Sequence, residues 1–234
     1  MVRVRLQKTS LVDYPGKVAA VFFLAGCNLR CPYCHNPSLV APPRGASDAD
    51  DLVALEEAFA FLERRRMVLS GVVLSGGEPT IYAGLPELAA RIRSMGLLVK
   101  LDTNGTFPDR IAPVAADYVA MDLKTAPDRY PELWPGAPAD ADRRIVESVR
   151  MVRESGAEYE FRITCAPGLF TLPDAQAIAT LLRAEDAVYM QRYRPGRVLD
   201  SDWAARVTPY TDEQLAPLLG AIKRAAPKAR IRGF

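Results

Sequence analysis

Residues 18–36 read VAAVFFLAGCNLRCPYCHN. The first seven, VAAVFFL (18–24), form a continuous apolar run of the kind expected of a parallel strand covered on both faces. The strand runs straight into a loop with three cysteines at Cys-x3-Cys-x2-Cys spacing: Cys27, Cys31 and Cys34. The only histidine of the chain, His35, follows them, and a fourth cysteine, Cys165, lies far away. A buried strand that delivers a ligand-rich loop from its carboxyl end is an α/β signature, because such sheets carry their sites there.

Outward from this stretch, strand-like and helix-like runs alternate. Apolar runs at 71–80, 97–105, 117–124, 157–168 and 187–196 read as strands. The segments 51–66, 85–96, 141–156, 172–184 and 211–225 have helical spacing. Ser47 or Asp48 would cap the first of these, a short helix is expected near 108–115, and ARIRGF (229–234) is a candidate final strand. The polar stretch APPRGASDADD (41–51) reads as a loop. Six or seven βα units of this kind imply a parallel sheet with right-handed crossovers, either doubly wound or a partial barrel. Unusual polar residues fall where such a sheet needs them, at strand ends: Cys27, Gly76 to Pro79, Asp102 and Asn104, Asp122 and Lys124, and Gln191 to Arg194.

The 234 residues are 49% hydrophobic and carry a net charge of +2, so no broad electrostatic surface for nucleic acid or anionic membrane is expected. The start, MVRVRLQKTSLVDYPG, lacks an apolar run of signal-peptide length, and no stretch of about 18 apolar residues occurs. The reading is a cytoplasmic protein of enzyme size. Four cysteines in a reducing compartment point to metal ligands or core residues rather than disulfides.

Three thiols from one loop suit a [4Fe–4S] cluster with one iron left open. They also suit a Cys3His zinc site completed by His35, or a set of plain core cysteines. Forty residues on, SGGEPT (75–80) ends a strand. Adjacent glycines let a ligand approach the backbone, whose carbonyls would accept from an ammonium group, with Glu78 adding charge. On its own the stretch also reads as a tight turn.

Together, CNLRCPYC and SGGEP make the chain resemble the radical S-adenosylmethionine enzymes over residues 10 to about 200. LVDYPGK, CHN, LDTNG (101–105) and MDLK (121–124) resemble the glycyl-radical-enzyme activases. The opening as a whole is most similar to activating proteins of anaerobic ribonucleoside-triphosphate reductase. The resemblance implies a single-domain partial (β/α)6 TIM-like barrel over 1–234, with a core at 18–200 and a closing segment at 201–234. It implies a [4Fe–4S] cluster on Cys27, Cys31 and Cys34, with the open iron chelated by the methionine of S-adenosylmethionine. Reductive cleavage of that cofactor would give methionine and a 5′-deoxyadenosyl radical.

By the same resemblance, residues 33–35, with Tyr33 and His35, flank the adenine. Gly76, Gly77 and Glu78 meet the methionine ammonium, and Asp102 and Asn104 add polar contacts. Asp122 and Lys124 lie near the methionine or ribose, Arg162 faces the cofactor carboxylate, and Arg194 touches the ribose or adenine. The implied partners are a glycyl radical enzyme, with anaerobic ribonucleotide reductase the candidate, and a reduced flavodoxin or ferredoxin-type electron donor. Two other readings stand beside this one: the same radical chemistry on a small molecule or peptide, and a non-catalytic zinc or cluster-binding module. Cys165 is read as a buried small hydrophobe.

Overall fold

The computed structural model of the chain describes residues 3–40 and 52–232. The strands are β1 (Arg3–Ser10), β2 (Ala19–Leu24), β3 (Leu52–Ala54), β4 (Gly71–Gly76), β5 (Leu98–Thr103), β6 (Tyr118–Asp122), β7 (Glu158–Cys165), β8 (Val188–Arg192) and β9 (Arg230–Arg232). They form one sheet in the order β3-β1-β2-β4-β5-β6-β7-β8-β9. From β2 to β9 every pairing is parallel. β1 runs antiparallel to both β2 and β3. The sheet curves without closing, which is the partial barrel.

Alternation along each strand decides the layers. Ala20, Phe22 and Leu24 of β2, Val72 and Leu74 of β4, and Val99 and Leu101 of β5 point outward. They pack against helices α2 (Leu55–Arg65) and α3 (Leu85–Ser94). Val119 and Met121 of β6, Phe161 and Ile163 of β7, and Val188 and Met190 of β8 also point outward. Helices α5 (Ala141–Glu154), α6 (Leu172–Ala179) and α8 (Asp212–Lys223) cover these. The short helices α1 (Pro37–Val40), α4 (Tyr130–Leu133) and α7 (Ser201–Arg206) lie between the larger elements. Capping boxes at Thr171/Asp174 and Thr211/Gln214 start α6 and α8, each satisfying two backbone donors.

The inward face changes character along the strands. Tyr14, Ala19, Val21, Val73, Tyr118 and Ala120 make a small apolar floor. Nearer the carboxyl ends the inward positions turn polar: Ser75, Lys100, Asp102, Asp122, Glu160, Arg162 and Thr164 all line one cavity.

Several boundaries differ from the sequence reading. The helix expected over 51–66 begins at Leu55, because Leu52–Ala54 pairs instead with Arg3–Arg5 along the free edge of β1. The expected loop at 41–51 and the caps Ser47 and Asp48 lie outside the described residues. The helix near 108–115 is two 3-10 turns, Pro108–Arg110 and Ala112–Val114, each with a proline in its first turn. The ARIRGF strand exists as β9, seated beside β8. Cys165 is buried in the outer core, as expected of a small hydrophobe. Among the described residues no helix is long and apolar enough to cross a membrane.

Candidate active site

A cavity of about 760 Å³ opens at the carboxyl ends of the parallel strands. All fourteen residues singled out in the sequence line it: the three loop cysteines, Tyr33, His35, Gly76, Gly77, Glu78, Asp102, Asn104, Asp122, Lys124, Arg162 and Arg194. They come from six successive strand ends, so the topology gathers what the sequence scatters over 168 positions (Cys27 to Arg194).

The loop after β2 is held from several sides by its own backbone. Gly26 N–H donates to Leu39 O at 2.7 Å and Cys27 N–H to Val40 O at 3.2 Å. Leu199 N–H donates to Cys34 O and Asp200 N–H to Pro32 O, both at 3.0 Å. The Gly-Gly turn packs directly beneath this loop. Glu78 N–H donates to Gly26 O at 2.8 Å, and Gly77 N–H to Leu24 O at 2.8 Å. Gly76 has φ +120°, and a Cβ there would lie 2.3 Å from Leu24 O. The glycines are therefore required by the approach of two backbones as well as by any ligand.

The Glu78 carboxylate is committed to holding the turn. It is 2% exposed and accepts from Thr80 N–H at 3.1 Å, the Thr80 hydroxyl, the Thr103 hydroxyl at 2.8 Å and Asn104 N–H at 2.6 Å. Burial pushes its carboxyl above the ordinary range despite these bonds. These bonds tether the turn to the end of β5. Asn104 is tied in by its own side chain as well. Its Oδ1 accepts from Thr106, and its Nδ2 faces Asn28 and Cys27.

Across β5, β6 and β7 the inward side chains form a ladder of alternating charge. Lys100 pairs with Asp102, and Ser75 donates to Asp102 at 3.1 Å. Arg162 lies 3.4 Å from Asp102 and donates to both oxygens of Asp122, at 2.8 and 3.2 Å. Lys124 donates to Asp122 at 3.0 Å. Register explains the contact: Asp122 and Arg162 are direct neighbours in the parallel pairing. Burial alone would raise the Asp102 and Asp122 carboxyls, but the neighbouring cations outweigh it and hold both below the usual range. Glu160, also inward on β7, adds a third carboxylate and pairs with Arg232, so four cations (Lys100, Lys124, Arg162 and Arg232) face three carboxylates, which leaves one positive charge for an anionic ligand group.

Beside the loop sits an aromatic group. Tyr193 stacks on His35 at 6.4 Å and meets Trp203 edge-on at 5.0 Å, while Tyr33 lies 6.2 Å from Trp203. Among the described residues the buried Tyr33 and Tyr193 hydroxyls have no hydrogen-bond partner. Both residues line the cavity, so a bound molecule offering an acceptor would satisfy them. Arg194 is exposed at the rim.

Sequence reasoning missed Lys100, Glu160 and Arg232, all of which line the cavity. Counting back two residues from Asp102 and from Arg162 would have found the first two. It also missed Val12 and Asp13, from the connection between β1 and β2, which line the cavity too.

Burial pushes the Cys27 thiol up to about 12 and raises Cys31 too, so both are protonated until a metal displaces the proton. Among the described residues no three His, Cys, Asp or Glu side chains converge to hold a single ion, which a zinc site requires. Three thiols spread along one cavity wall, with room beside them for a small molecule, fit a multi-iron cluster and a cofactor.

Fold and site together define an α/β partial-barrel protein with a thiol-rich loop at the carboxyl end of its first parallel strand. A family model described as the radical SAM superfamily matches residues 21–182. A relative from Methanocaldococcus jannaschii, provisionally named a glycyl-radical enzyme activating enzyme, is 30% identical over 211 residues. That match covers 87% of this chain and 85% of the relative. A relative of the same provisional name from Haemophilus influenzae is 37% identical over 124 residues, 51% of this chain and 46% of that protein. Among solved structures, TYW1 with a lysine–pyruvate adduct bound matches with a TM-score of 0.60 at 17% identity. The match covers 89% of this chain and 74% of that one, and at such identity it bears on the fold alone. The chain belongs to the radical SAM superfamily, whose members use a [4Fe–4S] cluster and S-adenosylmethionine.

Proposed function

We propose that this chain activates a glycyl radical enzyme by abstracting hydrogen from a glycine of that partner. The observation that carries the reading is the near full-length match to the Methanocaldococcus jannaschii relative, whose name states that activity. Cys27, Cys31 and Cys34 hold three irons of the cluster. When bound, cluster and cofactor supply a carbon-centred radical after one-electron reduction.

The chain's own residues bind and orient the cofactor. The backbone of Gly76 and Gly77 receives the methionine ammonium. The cationic surplus of Lys100, Lys124 and Arg162 over Asp102 and Asp122 receives its carboxylate. The wall of Tyr33, His35 and Tyr193 flanks the adenosine, with Arg194 at the rim. Tyr14, Val21, Val73 and Ala120 form an apolar layer at the amino end of the barrel. The candidate partner is an anaerobic ribonucleotide reductase, and the electron comes from a reduced flavodoxin or ferredoxin-type protein.

The test is anaerobic incubation of reconstituted protein with cofactor, reductant and each glycyl radical protein of the source genome. The expected result is a glycyl-radical doublet in electron paramagnetic resonance together with stoichiometric 5′-deoxyadenosine. Deoxyadenosine formation without a doublet on any of those partners would overturn the activase reading and leave a radical enzyme acting on a small molecule or peptide.

A further inference from the structure

Asn28, Asn104 and Thr106 close a cycle of three side-chain hydrogen bonds. Asn104 Nδ2 donates to Asn28 Oδ1 at 3.1 Å, Asn28 Nδ2 to the Thr106 hydroxyl at 3.0 Å, and that hydroxyl to Asn104 Oδ1 at 2.7 Å. Thr106 N–H adds a fourth bond to Asn104 Oδ1 at 3.0 Å. Neither amide can turn over without setting like atoms against each other. The orientation of Asn104, only 5% exposed, is therefore fixed. An amide nitrogen carries two hydrogens, and Asn28 takes one. Cys27 Sγ lies 3.9 Å from the same nitrogen and receives the other as a long hydrogen bond.

We propose that Asn104 is a positioning residue for the iron–sulfur cluster: its amide N–H, locked by Asn28 and Thr106, donates to the Cys27 sulfur and raises the reduction potential of the cluster. The inference rests on the assignment of Cys27 as a cluster ligand. Reduction adds negative charge that is shared by the ligating sulfurs. A donor aimed at one of them stabilises the reduced form more than the oxidised form. Asn104 follows β5 directly, and its own N–H is tied to Glu78. The Gly-Gly-Glu turn and the donor to the cluster loop are thus one rigid unit.

The test is a redox titration of the reconstituted protein followed by optical and paramagnetic resonance signals, with iron and sulfide counted per chain. Asn104→Leu removes the donor, and Asn104→Asp replaces it with an acceptor while keeping an oxygen for Thr106. Both should move the midpoint to more negative potential, Asn104→Asp further, with iron content as in wild type. An unchanged midpoint on an intact cluster would overturn the proposal. Where either variant fails to hold iron, Thr106→Val decides. It removes the hydroxyl that closes the cycle, and it should shift the midpoint in the same direction by less; no shift counts against the proposal. Cys27→Ala separates the two levels. Full iron retention in that variant would sink the ligand assignment itself, whereas iron loss there with an unmoved Asn104→Leu midpoint sinks only the role of Asn104.

Discussion

A methyl group on Gly77 would sit 2.0 Å from Gly26 O and 3.0 Å from Leu39 O, both backbone atoms that cannot swing aside. Gly77→Ala should therefore push the turn off the cysteine loop at a cost of about 1–3 kcal/mol. Iron bound after anaerobic reconstitution should fall well below wild type, and retention of full iron would show that the packing has slack. Glu78 answers to a different physics. Glu78→Ala strands the Asn104 N–H and the Thr80 N–H in a dry turn, at about 1–3 kcal/mol each. Glu78→Gln keeps an acceptor and should lose markedly less stability by urea denaturation; equal losses would argue that the charge, not the acceptor geometry, matters. Cys165→Ala, on the outward face of β7, should leave iron content unchanged. At this scale the residues marked in the sequence line one cavity, and the structure gives several of them a second task. Gly76 and Gly77 were read for ligand approach, and the structure adds an approach of two backbones. The roles of Glu78 and Asn104 depend on Thr80, Thr103, Thr106 and Asn28, partners that no local pattern reveals.

Between elements, the least legible pieces are those whose conformation is set by edges. RVRLQK (3–8) alternates apolar and polar residues with period two, a strand signal that the sequence reading passed over, and β1 forms there. Leu52–Ala54, by contrast, carries a helical pattern and becomes a strand because β1 offers unpaired backbone groups to it. The other end of the sheet shows how a short strand can matter. β9 brings Arg232 to within 3.1–3.3 Å of both oxygens of Glu160, which is 2% exposed. The Tyr118 hydroxyl donates to the same carboxylate at 3.1 Å. Arg232 also lies over the Tyr189 ring at 3.5 Å. Arg232→Ala removes the partner of a buried charge. Because the Arg232 side chain is itself 40% exposed, the expected loss is only about 1–2 kcal/mol. Adding Glu160→Gln should restore much of it. A double variant no more stable than Arg232→Ala would mean that stacking on Tyr189, rather than charge pairing, anchors β9.

For the whole molecule, the alternation of strands and helices was enough to predict a parallel sheet and to place the site at its carboxyl end. Whether that sheet is flat or curved depends on interior volume, which no periodicity encodes; the small inward residues Ala19, Val21, Val73 and Ala120 are what allow it to curl. Curling turns six charged side chains from β5 to β7 and their ends toward one another, and this makes stability depend on pH in a specific way. Asp102 and Asp122 have carboxyls held below their ordinary values, because Arg162 with Lys100 and Lys124 outweighs the effect of burial. In the unfolded chain both titrate near about 3.9. Their contribution is therefore complete above that value, flat through neutral pH, and lost as pH falls below it toward the lower folded values. Asp122→Asn removes one carboxylate from between Arg162 and Lys124. It should cost about 1.5–3 kcal/mol at pH 7, the range for hydrogen bonds to a charged group. Between pH 4 and pH 3 the variant should also lose less stability than the wild type, since one of the titrating groups is gone. Urea midpoints at pH 7, 4 and 3 measure both effects. A parallel decline of the two proteins in acid would place the pH dependence outside the barrel, and the charge ladder would then be a feature of ligand binding alone.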